Sequence, residues 1–290
     1  MAQIEAYAAP SSIEEAAKLA ADGNATVFAG GTDLMLQAKS GAKTFSPLLM
    51  NLRRVEEMRG VTEDHDFVRI GGLTTVTDVL RDPLLRDSVP VLCDTADKFA
   101  SGQIRNSATI GGNICNASPA GDMIIPLLLL DAEVELLSWV DDEANWRLIP
   151  LQNFFKGPGQ TKKRANEILT GVKFKIPSSE FVAGFVKFGT RPSLDISVVS
   201  VGIAGRLSAG TLTDARVAFG AVAPIPMRGR ETEAAIEGMT IDEATIATAC
   251  VKAADEVSPI DDVRASAWYR RELIKTLTGR LLRHVVHSGD

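Results

Sequence analysis

The sequence predicts an α+β protein in two parts, and three observations carry that reading. The C-terminal stretch runs as three strands, over 181–188, 198–207 and 211–219, followed by three helices, over about 229–237, 241–256 and 265–286. Strands grouped before helices indicate an antiparallel sheet with a three-helix bundle on one face. Upstream, strands and helices alternate, and the strand Ala25–Phe28 runs through Gly30-Gly31 directly into a helix. Between the two parts, Pro177–Glu180 reads as a linker where the rhythm changes. The expected domains are therefore 1–177 and 181–287.

Taken in order, Ile4–Tyr7 reads as a short strand. Ser12-Ile13-Glu14-Glu15 has the S-x-x-E form of a capping box, opening a helix whose apolar stripe is Ile13, Ala16, Ala17, Leu19 and Ala20. Asp22-Gly23-Asn24 ends that helix. After the strand Ala25–Phe28, Thr32 or Asp33 is placed to N-cap a helix running to about Ser40, with Gly41 closing it. Leu48–Leu52 and Phe67–Ile70 are strands, the second ending at Gly71-Gly72. Thr74–Arg81 and Pro90–Ala100 are helices, and Cys93, among apolar neighbours, reads as a buried thiol. Ala132–Leu137 and Trp146–Ile149 form a hairpin, Gly157-Pro158-Gly159 is a rigid turn, and Glu167–Ile176 alternates as an antiparallel strand should.

Composition excludes several functions. Over 290 residues the net charge is −6 and the pI about 5.3, which argues against a nucleic-acid surface. Hydrophobic content of 45% with 23% charged residues marks a globular chain. The opening MAQIEAYAAP has neither a basic nor an apolar signal region, and the longest apolar run, Met123–Leu130, is too short to span a bilayer. The three cysteines, Cys93, Cys115 and Cys250, are dispersed without a C-x-x-C, so neither a zinc ribbon nor an iron–sulfur pattern is present, and reduced thiols in the cytoplasm are expected. His65 sits in an acidic turn, and His284 and His287 lie three apart on the last helix. None is assigned a catalytic or metal role.

The chemistry concentrates in two glycine segments, Ala29–Lys39 (AGGTDLMLQAK) and Thr109–Asp122 (TIGGNICNASPAGD), whose glycine pairs begin 81 positions apart, at 30 and 111. Neither matches G-x-G-x-x-G or the P-loop form. Glycine pairs permit φ > 0 and close approach of a ligand to the main chain, and amides so exposed suit phosphate or pyrophosphate. Alone, the second segment fits an ordinary turn-rich loop equally well and Gly30-Gly31 reads more readily as a tight turn; the pairing of two such segments points to a dinucleotide held from both sides. The polar loop Gly189–Asp195 between the first two C-terminal strands reads either as an arm reaching toward that site or as a solvated Arg–Asp surface loop.

Together these segments resemble the two FAD-binding segments of the medium, flavin-carrying subunits of molybdenum hydroxylases, the relatives of xanthine dehydrogenase, carbon monoxide dehydrogenase and 4-hydroxybenzoyl-CoA reductase. The resemblance spans nearly the whole chain, including Glu167–Ile176 and FVKFGTRPSLDISVV (Phe185–Val199). It implies an FAD-binding fold of the PCMH type in two α+β subdomains, about 1–58 and 59–177, followed by the C-terminal domain. It implies that Ala29, Gly30, Gly31, Thr32, Asp33 and Leu34 hold the pyrophosphate from one side. Thr109, Gly111, Gly112, Asn113, Asn116, Ser118 and Asp122 would hold phosphate, ribose and flavin groups from the other. Phe99 would lie along the cofactor, Leu169 and Lys187 near its flavin and adenine-side groups, and Asp195 near the flavin ring. Asp33 and Asp122 suit ribose hydroxyls or loop amides better than phosphate.

The resemblance departs at TRPSLDIS, where some relatives carry two adjacent acids and this chain has Asp195 alone. It implies an electron-transfer subunit of a heterotrimer. A small subunit would hold two [2Fe–2S] clusters, and a large subunit would hold the molybdenum cofactor and hydroxylate a small, N-heteroaromatic type of substrate. NAD or another acceptor would receive the electrons, and the assembly would be a dimer of heterotrimers. A stand-alone flavin oxidase or reductase acting on its own small-molecule substrate is the alternative, with Cys115 as a point of covalent flavin attachment to test; a binding module that has lost its cofactor is the third reading.

Overall fold

The computed structural model describes residues 4–191 and 195–287. The chain forms two compact units that do not follow its order. One holds the chain up to Asp82 together with Ser101–Ala117 and Ala132–Lys175; the other holds Pro83–Ala100, Ser118–Asp131 and the chain from Ile176 onward.

The first unit contains two sheets. The strands Ala6–Ala8, Leu48–Asn51 and Ala25–Phe28 form a parallel sheet with Leu48–Asn51 in the centre. Parallel pairing requires a crossover, and the helices Ile13–Ala20 and Leu34–Lys39 lie in the two connections. The second sheet is antiparallel, in the order Val61–Asp64, Phe67–Gly71, Glu167–Lys175, Glu133–Val140 and Glu143–Pro150. Ala16, Ala17 and Ala20 pack with Met50, Leu52, Met58, Leu137 and Ile168, so one small-residue helix face joins residues of both sheets in a single core. Ser12 caps this helix by accepting from the Glu15 amide at 3.1 Å, but the Glu15 carboxylate turns to the Ser11 amide at 2.8 Å, so the capping box closes one residue early. The strand Val61–Asp64 and the helix Pro83–Ser88 escaped the sequence reading: the strand is three-quarters exposed and acidic, and the helix begins on a proline.

In the second unit, Phe181–Phe188, Val199–Ser208 and Thr211–Gly220 form the predicted antiparallel core of the sheet, extended by the two-residue strands Met227–Arg228 and Met239–Thr240. Val199, Val201 and Ile203 lie in one cluster with Phe219 and residues of the helices Glu243–Glu256 and Ala267–His287, including Ile246, Ala249, Ile274 and Leu281. Alternation sends Ser200, Gly202 and Ala204 to the opposite face. There the helix Ile124–Leu129 packs: a Cβ on Gly202 would lie 2.7 Å from Ile125 Cγ2. The sequence placed helices on one face only. The second face is filled from the middle of the chain, because every residue of Ile124–Leu129 is buried and that run needs an apolar partner on all sides. Its last carbonyls are met by arginines, with Arg216 donating to Leu129 O at 2.8 Å and Arg228 to Leu128 O at 3.2 Å. Among the described residues no helix is long and apolar enough to cross a membrane.

Candidate functional site

Within the first unit the two glycine segments meet. The strand Ala25–Phe28 delivers Ala29 against the core and Gly30 against the Ser107 carbonyl, so closely that no Cβ fits at position 30. Gly31 takes φ +73°, a conformation that favours glycine, and so turns the chain into the helix Leu34–Lys39. Asp33 occupies the N-cap position but makes no side-chain cap bond, and partial burial pushes its carboxyl above the ordinary range. The amides of Gly31, Thr32 and Asp33 donate to no backbone acceptor among the described residues. Thr32 and Leu34 are half-buried beside them. Gln37, one turn on, donates through Nε2 to Asn116 Oδ1 at 2.8 Å, tying the first segment to the second.

The first half of the second segment is not a loop. It folds as the helix Ile110–Asn116, preceded by the short helix Gly102–Arg105, and neither Gly111 nor Gly112 has positive φ. Thr109 is the N-cap, its Oγ1 accepting from the Gly112 amide at 3.0 Å. The Ile110 amide donates to Thr74 O at 3.0 Å and the Gly111 amide to Gly72 O at 2.9 Å. The first-turn amides expected to form an anion nest are thus already used, because the helix start is laced onto the Gly72–Thr74 turn. Gly111 serves that lacing: a Cβ there would sit 2.7 Å from Gly72 O. Gly112 is helical and exposed, a patch of bare backbone. Asn113 Oδ1 is sealed from solvent with no hydrogen-bond partner among the described residues. The helix ends where Ala117 adopts the left-handed conformation, φ 47°. Leu169 lies in the strand Glu167–Lys175 at a bulge, buried, with its carbonyl against Gly72. Cys115 is a free, partly exposed thiol that burial pushes above its ordinary range.

The second unit holds the remaining expected residues. Phe99 is half-buried just past the helix Pro90–Asp97. Ser118 forms a turn, its Oγ accepting from the Ala120 amide at 3.2 Å and its carbonyl from the Gly121 amide at 3.0 Å. Asp122 is buried, with Oδ2 accepting from Lys187 Nζ at 2.7 Å and Oδ1 from Ser197 Oγ at 2.5 Å. Both of its oxygens are therefore engaged by protein donors other than loop amides. Lys187 also donates to the Asp195 main-chain oxygen at 3.2 Å. The Asp195 carboxylate accepts from the Thr190 amide and hydroxyl and from the Arg191 amide, which holds its carboxyl below the ordinary range and closes its own loop. The middle of that loop, residues 192–194, lies outside the described residues.

Gln37, Gly72, Ser107 and Ser197 were not singled out as site residues by the sequence. Each acts through a partner 65 or more positions away or through main-chain packing, as the 79-residue separation of Gln37 and Asn116 illustrates, and no local spacing signals such a partner.

Comparison with known proteins agrees with this architecture. The FAD binding domain in molybdopterin dehydrogenase matches residues 2–179, and the CO dehydrogenase flavoprotein C-terminal domain matches residues 185–285. The chain is 31% identical over 292 residues to the xanthine dehydrogenase FAD-binding subunit of Escherichia coli O157:H7, covering 100% of this chain and 98% of that one. It is 30% identical to the glyceraldehyde dehydrogenase medium chain of Sulfolobus acidocaldarius, covering 96% and 97%. Its fold superposes on a chain of carbon monoxide dehydrogenase from Hydrogenophaga pseudoflava with a TM-score of 0.91 at 26% identity, covering 98% and 97%. With both halves of the chain matched and the whole fold superposed, the chain belongs to the FAD-binding subunits of the xanthine and carbon monoxide dehydrogenase family, oxidoreductases of the molybdenum hydroxylase type.

Proposed function

We propose that this chain is the FAD-carrying electron-transfer subunit of a heterotrimeric molybdenum hydroxylase. It receives electrons from two [2Fe–2S] clusters on a small partner subunit and delivers them to NAD or another acceptor. A large molybdopterin-binding subunit hydroxylates the substrate, a small molecule of the N-heteroaromatic kind, and the assembly is a cytoplasmic dimer of heterotrimers. The names "FAD-binding subunit" and "medium chain" borne by its relatives support a role beside other subunits.

The observation that carries the reading is the meeting of the two glycine segments in one unit, Gly30 against Ser107 and Gln37 bonded to Asn116. The residues present fit the cofactor. Gly31, Thr32 and Asp33 offer amides with no backbone acceptor, Asn113 offers a sealed, unpartnered side-chain atom, and Gly112 offers bare backbone. In this reading Ala29–Leu34 hold the pyrophosphate, for which amide donors suffice without a cationic side chain. Thr109, Gly111, Gly112, Asn113 and Asn116 hold the facing side, with Thr109 and Gly111 acting by fixing the helix start. Leu169, Phe99 and Ser118 contribute surface and turn geometry, Asp122 and Lys187 supply an oriented cation, and Asp195 shapes the loop that Lys187 bonds. The FAD-binding domain is 1–177 and the C-terminal domain 181–287. FAD supplies the redox chemistry when bound, and the protein binds, orients and shields it.

The test is an absorption spectrum of the chain purified alone, before and after acid precipitation, followed by co-purification of partner subunits. Flavin bands on the lone chain without any hydroxylating activity are expected. Substrate turnover by the lone, cluster-free chain would overturn the electron-transfer role, and failure to take up FAD would overturn the site.

A further inference from the structure

The second unit contains a buried relay whose terminal member has no assigned role. Ser197, 1% exposed, donates its hydroxyl to Asp122 Oδ1, and Lys187 donates to Asp122 Oδ2. Lys187 is itself mostly buried and gives a second N–H to the Asp195 carbonyl. An ammonium has three donors, so among the described residues one N–H of Lys187 is uncommitted. We propose that Ser197 is a positioning residue for FAD: by occupying one oxygen of Asp122 it sends Lys187 to the other, fixing the ammonium so that its third N–H serves an oxygen acceptor of the cofactor. This rests on the FAD reading above and on the part it gives Lys187.

The geometry argues for more than packing. A lysine facing a carboxylate with both oxygens open can pivot between them. With one acceptor site of Oδ1 taken by a 2.5 Å charge-assisted bond, the balance tips to Oδ2, where the ammonium stands at 2.7 Å. The environment makes the hydroxyl matter. Burial pushes the Asp122 carboxyl up, and only the Lys187 ammonium and the Ser197 hydroxyl oppose that shift. Lys187 approaches from the strand Phe181–Phe188 and Ser197 from the segment entering Val199–Ser208. The adjoining helix Ile124–Leu129 carries apolar side chains alone, so Lys187 is the one charged group acting on this carboxyl among the described residues. Removing a donor to the charged form raises a carboxyl pKa. Loss of the Ser197 hydroxyl therefore brings protonation of Asp122, and release of Lys187, to a higher pH.

The experiment is a fluorescence titration of the full-length apo chain with FAD across a range of acidic to neutral pH, for the wild type, Ser197→Ala, Ser197→Thr and Lys187→Met, with the reduction potential of the bound flavin measured in parallel. We expect Ser197→Ala to weaken FAD binding about tenfold, equivalent to about 1.4 kcal/mol, and to shift the acid limb of the affinity profile to higher pH. Ser197→Thr, which keeps the hydroxyl, restores both, and Lys187→Met abolishes the limb. A lowered potential in Ser197→Ala places the acceptor on the isoalloxazine; an unchanged potential with weakened binding places it on the ribose or phosphate. Wild-type affinity and pH profile in Ser197→Ala, or an acid limb that persists in Lys187→Met, would overturn the proposal. A wild-type chain that takes up no FAD defeats the underlying FAD reading instead, independently of Ser197.

Discussion

Replacing Gly111 and Gly112 by alanine, one at a time, separates the two tasks of the second glycine pair. A Cβ at position 111 would meet the Gly72 carbonyl oxygen at 2.7 Å and the Gly72 Cα at 3.1 Å. Relief to an ordinary separation of about 3.5 Å demands a retreat of about 0.8 Å, enough to break a Gly111 N–H···O bond that now measures 2.9 Å. Overpacking costs about 1–3 kcal/mol and the lost bond about 1 kcal/mol, offset by about 1 kcal/mol of helix propensity. The net is about 2 kcal/mol, which lowers the melting temperature by about 3 °C in a chain of this size. A Cβ at position 112 meets only the Thr109 hydroxyl, at 2.8 Å. Turning that hydroxyl away forfeits a cap worth about 1 kcal/mol, which the propensity gain of about 1 kcal/mol cancels. Melting of Gly112→Ala should therefore stay near wild type, while FAD affinity falls about tenfold or more, about 1.4 kcal/mol, because the methyl covers the exposed backbone patch. The assay is a thermal melt of the apo protein paired with an FAD titration. Gly111→Ala melting like wild type, or Gly112→Ala binding FAD like wild type, would refute the division of labour.

Three further predictions follow from the buried charges and the thiol. Asp122→Asn leaves the largely buried Lys187 ammonium without its counter-charge and should destabilise the chain by about 3 kcal/mol, read as a loss of denaturation midpoint. Burial pushes the Glu167 carboxyl up, but the bonds from Arg147 at 2.9 and 2.7 Å and from the Arg164 amide outweigh it, so its folded pKa lies below 4.5. A depressed carboxyl stabilises above the unfolded pKa and loses that contribution as pH falls through the folded one, so the wild-type melting temperature should drop below pH 4.5 more steeply than that of Glu167→Gln. Burial keeps the Cys115 thiol protonated and a poor nucleophile; acid precipitation should leave all flavin in the supernatant, and Cys115→Ser should retain FAD.

Apolar runs bounded by turn residues were legible. Ala25–Phe28 is a strand as read, and Phe181–Phe188, Glu167–Lys175 and the three C-terminal helices fall within two residues of expectation or closer. The second glycine segment misled because Gly-Gly is a poor helix former by propensity, and the tertiary lacing to Gly72 and Thr74 outweighs that cost. Gly30 and Gly31 were legible as a turn, yet the reason position 30 admits no side chain lies in Ser107, far along the chain. The Asp122–Lys187–Ser197 relay was half legible: motif resemblance pointed to Asp122 and Lys187, while Ser197 is an unremarkable serine until the fold brings it 2.5 Å from a buried carboxylate.

The interleaving of the two units bears on how this chain can be handled and recombined. The backbone passes between units at 82/83, 100/101, 117/118, 131/132 and 175/176. A gene cut near codon 177 would strand Pro90–Asp97 and Ile124–Leu129 without the strands Val199–Ser208 and Thr211–Gly220 on which the second of these helices packs, leaving a wholly apolar helix in water. The flavin-binding half is consequently no detachable cassette. Chimeras between relatives must exchange the chain entire, or exchange surface segments within it, since the helix Ile124–Leu129 after the second motif also packs on the C-terminal sheet.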